Sequence, residues 1–125
     1  MNIKETPQAI HAINKEKGFW DKPRNTGELL MLVNSELCEG LEADRNGRHC
    51  REWDKKLYLR LLEENEMPMQ FIFENQIKDT FQDEIADAVI RLFDLAEGLG
   101  IDLEFHIKHK MAYNKTREHL HGKAY

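Results

Sequence analysis

The segment DEIADAVIRLFDLAEGLG, residues 83–100, constrains the fold more than any other part of the chain. Wound at 100° per residue, its Ile85, Ala86, Val89, Ile90, Leu92, Phe93 and Ala96 span a wide arc, so the helix is apolar around most of its circumference. A helix of that kind belongs at the centre of a helical assembly. Thr80 and Asp83 resemble a capping arrangement at its start, and Gly98 and Gly100 end it. Two acids three residues apart, Glu84 and Asp87, nevertheless lie on it, and Glu84 shares a stripe with Ala88 and Leu95.

A second segment repeats this device. Asn25 with Glu28 reads as a capping box opening a helix that runs to about Asp44, where RNGR at 45–48 supplies a stop. On this helix Glu36 falls on one stripe with Leu29, Leu32, Gly40 and Ala43, while Glu28, Ser35 and Glu42 gather on a neighbouring face. Glu39 follows Glu36 by three. Helical residues three apart have Cβ atoms roughly 5–6 Å apart, so each pair can aim its carboxylates at one point. If the two helices pack side by side, four carboxylates converge, and they cannot all stay ionised without countercharge. A hard divalent cation resolves the conflict, and an all-oxygen donor set with room for water suits Mg²⁺ or Mn²⁺. Either pair alone has a plainer reading as a solvated helix face, because glutamate is a good helix former. The stripe position of Glu36 and the recurrence on a second helix count against it.

The rest of the chain also reads as helical. Thr6 followed by Pro7 marks a helix start, with Ala9, Ile10 and Ile13 on one side and Gly18 as the stop; FWDKPRNTG at 19–27 is a loop. Residues 45–79 form an insertion with one helix, capped by Asp54 and apolar at Leu57, Tyr58, Leu61 and Leu62, followed by an irregular or extended MPMQFIF segment at 67–73. Asp102 caps a last helix that reaches Asn114 or a turn beyond, before a short tail at about 118–125. Lys110, Asn114 and Arg117 follow one another there at i, i+4 and i+7, a set suited to polyphosphate, or in the plainer reading a basic turn that favours the helix dipole. The expectation is an all-α single domain over residues 1–125, with four principal helices and an insertion between the two acidic ones.

Several function classes are disfavoured. A formal net charge of −5 and the lack of a long basic block speak against wrapping a nucleic-acid polymer. The longest pure apolar run, LLMLV at 29–33, is far short of the roughly 20 residues of a membrane span, and MNIKETPQ has no signal-peptide core, so a cytoplasmic setting is expected. Cys38 and Cys50 form neither a disulfide framework nor a zinc pattern, and Cys38 is expected to be buried or half-buried. Di-iron bundles need E-x-x-H on two helices, whereas this chain has only Glu118 to His121, in the tail; His106 and His109 are expected on the surface.

Taken together, Glu36-x-x-Glu39, Glu84-x-x-Asp87 within DEIADAVIRLFDLA, and the downstream KMAYNKTR resemble the MazG-like all-α nucleoside triphosphate pyrophosphohydrolases, over the span from GFWDKP to NKTR. The resemblance implies a helical bundle that binds Mg²⁺, with Mn²⁺ as a substitute, through Glu36, Glu39, Glu84 and Asp87. It implies hydrolysis of a nucleoside or deoxynucleoside triphosphate to the monophosphate and pyrophosphate, with Glu36 or Glu39 taking the proton of the attacking water. Lys110 and Asn114 match positions that contact phosphates or sugar, and Arg117 is added to them. His11 and Trp20 keep the spacing of a base pocket. An indole can stack on a base, whereas His11 is nominated by the resemblance alone, since the helical reading sets it opposite Ala9 and Ile13. Arg91 either reaches the phosphates or pairs with an acid. The insertion is longer than in compact members, and its Trp53, Tyr58 and Phe71 either cover the base pocket or serve packing or a subunit interface, the second being the plainer reading. A homodimer or dimer of dimers is expected. The non-enzymatic alternative is a helical dimerisation or interaction module without turnover.

Overall fold

The computed structural model describes residues 1–124, with the exception of the side chain of His121; Tyr125, the end of the expected tail, lies outside them. Six α-helices follow in order: α1 (Glu5–Glu16), α2 (Thr26–Arg45), α3 (Glu52–Glu64), α4 (Met69–Gln76), α5 (Phe81–Gly98) and α6 (Leu103–Lys115), then a 3-10 turn at His119–Gly122. There is no strand among the described residues, and no helix long and apolar enough to cross a membrane. The contacts divide the chain into two compact units. One comprises Pro23–Leu92; the other joins Met1–Lys22 to the segment from Phe93 on.

In the Pro23–Leu92 unit, α2 begins as its sequence demands. The Asn25 side chain accepts the Glu28 backbone N–H at 2.8 Å, satisfying one of the donors that a helix start leaves open. Leu29, Val33, Glu36, Gly40 and Ala43 form the buried row of α2, at the alternating spacing of four and three that keeps to one face. That face packs on the first turns of α5: a side chain at Gly40 would be in van der Waals contact with Glu84, Ile85 and Phe81. At the head of α5, Thr80 Oγ1 accepts the Asp83 N–H, and Asp83 accepts the N–H of Asp79.

The 45–79 insertion departs from expectation. It contains two helices, and MPMQFIF is neither irregular nor extended, because α4 starts directly after Pro68. Proline is suited to a helix entrance, where its missing N–H has no partner to lose. Asp54 sits inside the first turn of α3 and accepts the N–H of Arg51, so the helix begins three residues earlier than expected. Leu57, Tyr58, Leu61 and Leu62 are the half-buried apolar side of α3, and Tyr58 meets Phe73 of α4 edge to face with ring centroids 6.2 Å apart. Asn65, in a left-handed conformation at φ 51°, ends α3. Both ends of the excursion are tied together, since Phe81 N–H donates to the Arg48 carbonyl and Cys50 N–H donates to Gln82 Oε1. A loop closed in this way leaves the α2–α5 pairing undisturbed.

Two further expectations need correction. Cys38 is exposed, because it lies off the buried row of α2; Cys50 is the buried cysteine. The wide apolar arc of α5 is not enclosed: Glu84, Ala88, Leu95 and Ala96 are buried, whereas Ile85, Val89, Ile90 and Leu92 stay exposed. The same holds for Leu30, Leu37 and Leu41 on α2.

In the other unit, α1 starts at Glu5 and takes Pro7 into its first turn, where it is buried; the helix stops ahead of Gly18, which adopts φ +85°. The unit is organised by the carboxylate of Asp94. It accepts Nδ1 of His11 at 2.6 Å, Nδ2 of Asn14 at 2.9 Å and the indole N–H of Trp20 at 3.0 Å. A carboxylate accepts, so the pairing puts the ring proton of His11 on Nδ1. The Trp20 ring lies so close to Gly98 that any β-carbon there would run into it. α6 is capped by Asp102, which accepts the Phe105 N–H, and it contains no buried residue. His106 and His109 are exposed, as their spacing suggests.

Asp94→Ala strips three donors of their acceptor at once. It should cost about 2–4 kcal/mol of stability, measured by denaturant unfolding, and Asp94→Asn should recover only part of the loss.

Candidate functional site

The α2–α5 contact carries its acids inward. Glu36 and Glu84 are 6% and 5% exposed, among the least exposed charged residues of the chain, and Glu39 stands exposed beside them. One carboxylate oxygen from each of the three lies within 4.8 Å of the other two. Asp87, a turn after Glu84, is half-buried and lines the same cleft, so all four acids nominated by spacing come to one place. Arg91 donates from Nε to Glu36 Oε1, the ion pair with an acid that one of its two readings names.

The charges are poorly compensated. Glu84 has no hydrogen-bond or salt-bridge partner among the described residues. Burial pushes its carboxyl up to about 7, and Glu39, Glu36, Asp83 and Asp87 add to the rise. Burial also raises Asp87, with Asp83 and Glu36 acting in the same direction and the Arg91 guanidinium opposing them. Asp83 is raised by burial as well, against the N–H that it accepts from Asp79. One guanidinium therefore faces five acids. A cation held by Glu36, Glu39 and Glu84, with Asp87 adjacent, would supply the missing charge through oxygen donors alone.

The cleft has a volume of about 710 Å³, and the rest of its lining comes from the insertion: Tyr58 of α3, then Met69, Gln70, Phe73 and Glu74 of α4, with Lys78 and Asp79 beyond. Of this lining the sequence offers only Tyr58, as an insertion aromatic able to cover a base pocket or to pack; MPMQFIF reads as irregular or extended, although the helical spacing of Met69 and Phe73, four apart, puts both on one face. Asp83 was also missed as a cleft residue, because its role as a helix cap accounts for it. Trp53 and Phe71, the other insertion aromatics, are exposed.

The remaining nominated residues fall in the other unit. His11 and Trp20 meet edge to face with centroids 4.9 Å apart and both bind Asp94, a residue that no motif singled out within RLFDLA. The indole N–H and Nδ1 of the imidazole are thereby engaged by the protein itself. Lys110 and Arg117 both lie over the Tyr113 ring, at 5.1 and 5.7 Å from its centroid. Asn114 is half-buried, and its Oδ1 has no hydrogen-bond partner.

The raised acids fix the sign of a pH effect. Between the ordinary carboxylate range and about 7 the folded chain retains a proton at Glu84 that the unfolded chain has lost. Stability therefore falls as pH rises through that window and levels off above it. In chelator, the loss from pH 5 to pH 8 should be on the order of 1–2 kcal/mol after allowance for water reaching the cleft, read from melting curves. Glu84→Gln should remove most of the slope and raise stability at pH 8.

No protein-family model, curated protein or solved structure matches the chain.

Proposed function

We propose that the protein is a divalent-cation-dependent nucleoside triphosphate pyrophosphohydrolase acting on a nucleoside or deoxynucleoside triphosphate. The observation that carries this reading is the convergence of Glu36, Glu39 and Glu84, with Glu84 buried and unpartnered, in a cleft large enough for a nucleotide. A carboxyl raised by burial and by neighbouring acids, as that of Glu84 is, is costly to a fold unless something binds to it.

Glu36, Glu39, Glu84 and Asp87 are assigned to the cation, taken as Mg²⁺ with Mn²⁺ as substitute. When bound, it neutralises charge on the phosphate oxygens and acidifies water. Water attacks the α-phosphorus, the bond from that phosphorus to the bridging oxygen of the β-phosphate breaks, and monophosphate and pyrophosphate result. The water's proton goes to a glutamate of the first pair. Glu36 is buried and already engaged by Arg91, whereas Glu39 is exposed and makes no hydrogen bond among the described residues, so Glu39 is the proposed base. Arg91 orients Glu36 through its Nε donor. Lys110, Asn114 and Arg117 enter as phosphate contacts on the strength of the sequence resemblance.

The alternative, a non-catalytic dimerisation module, draws on the exposed rows Leu30, Leu37 and Leu41 on α2 and Ile85, Val89 and Leu92 on α5. Apolar rows of this extent favour association in either reading. We propose a homodimer or dimer of dimers, so light scattering should give two or four times the chain mass, and Leu37→Glu with Val89→Glu should lower it.

The two readings separate by assay. With Mg²⁺ and a panel of NTPs and dNTPs, the enzyme reading expects pyrophosphate and monophosphate in equal amounts, a loss of at least a hundred-fold in kcat for Glu39→Gln and Glu84→Gln, and a melting temperature that rises with Mg²⁺. Absence of turnover together with a melting temperature indifferent to Mg²⁺ would leave the module.

A further inference from the structure

The proposed reaction uses only part of the cleft. Its lining also includes Tyr58, Met69 and Phe73, delivered by the α3–α4 insertion together with Gln70, Glu74, Lys78 and Asp79. We infer that this insertion builds the organic half of the substrate site: the flat base of a nucleotide, with its phosphates at the carboxylates, lies against Tyr58, Met69 and Phe73. The inference rests on the reading of the acids given above and adds what they recognise alongside phosphate.

Three observations support it. The first is continuity, since the apolar wall and the acids line one cavity of about 710 Å³, within the range of nucleotide-sized pockets. The second is Glu84, which is 5% exposed, lines that cavity and has no hydrogen-bond partner, so the acid side is built to meet something from outside. The third is the make-up of the wall. Tyr58 and Phe73 hold each other edge to face, an arrangement that leaves a ring surface for a further flat group, and Met69, 60% exposed, supplies an adaptable thioether beside them. A second copy of the chain would bring its own acids and net charge of −5 towards the carboxylates, which disfavours it as occupant. A ligand with a flat apolar part at one end and a cation-bound polyanion at the other satisfies both sides at once. Lys78, held by Asp79 at 3.0 Å, adds a positive charge at the rim.

The test compares nucleotide with inorganic tripolyphosphate, which has the phosphates and lacks the base. For the best nucleotide of the panel, Met69→Ala and Phe73→Ala should each raise KM about ten-fold or more while kcat changes less than three-fold. Inhibition by Mg²⁺-tripolyphosphate should be unaltered. Phe73→Leu, which preserves bulk in the α3–α4 contact, should give the same KM effect with an unchanged melting temperature, and Trp53→Ala, exposed outside the cleft, should leave KM alone. Turnover with a KM indifferent to Met69 and Phe73, or a matching loss of tripolyphosphate inhibition, overturns the shelf and leaves the catalytic reading standing. If no nucleotide is turned over, calorimetric titration with the same nucleotides decides. Binding weakened by Phe73→Leu retains the shelf and removes only the catalysis, whereas no binding removes both.

Discussion

Everything in the Pro23–Leu92 unit depends on like charges being forced together. Gly40 brings α2 close to the first turns of α5, and the residues placed at that contact include Glu36 and Glu84, both buried. An apolar pair there would pack without penalty, since buried ions cost several kcal/mol each unless compensated. The guanidinium at hand, Arg91, engages Glu36 and leaves Glu84 to the field of its neighbours. Glu84 is therefore buried without a partner beside neighbouring acids. A ligand that neutralises it gains binding energy that a surface site would not provide.

The insertion makes this contact useful. Because Arg48 and Cys50 are hydrogen-bonded to Phe81 and Gln82, the departure and return of the chain are pinned at the head of α5, a few residues from Glu84. The α3–α4 hairpin is thereby held over the acids, and it presents rings and a thioether to the cleft. In the proposed site the acids come from the helix pair and the rings and thioether from the excursion between them, so changes in the hairpin leave the carboxylates untouched.

The acid positions were legible in the sequence because helical geometry is local. Glu36 on a stripe with Leu29, Gly40 and Ala43 is buried for the same reason as its neighbours, and the caps at Asn25, Thr80 and Asp102 close where their side chains permit. Asp94 was not legible. It sits in an apolar run as an apparent intruder, and only the approach of His11, Asn14 and Trp20, over 74 to 83 residues of intervening chain, explains it. The hairpin wall was obscured by Pro68, which reads as a breaker in an alternating segment although it also suits the entrance of a helix.

By itself, the sequence determined the helical class, the main helix boundaries to within a few residues, and the pairing of acids at i and i+3 on two helices, since all of these follow from periodicity and capping along a single stretch of chain. Only the tertiary structure decided that the two pairs meet, that Arg91 pairs with Glu36, that Glu84 lacks a partner and that Tyr58, Met69 and Phe73 face the acids. Those outcomes depend on contacts between residues distant in the chain, and the free energy of burying a charge is set by what surrounds it in space, to which its neighbours in sequence give no guide.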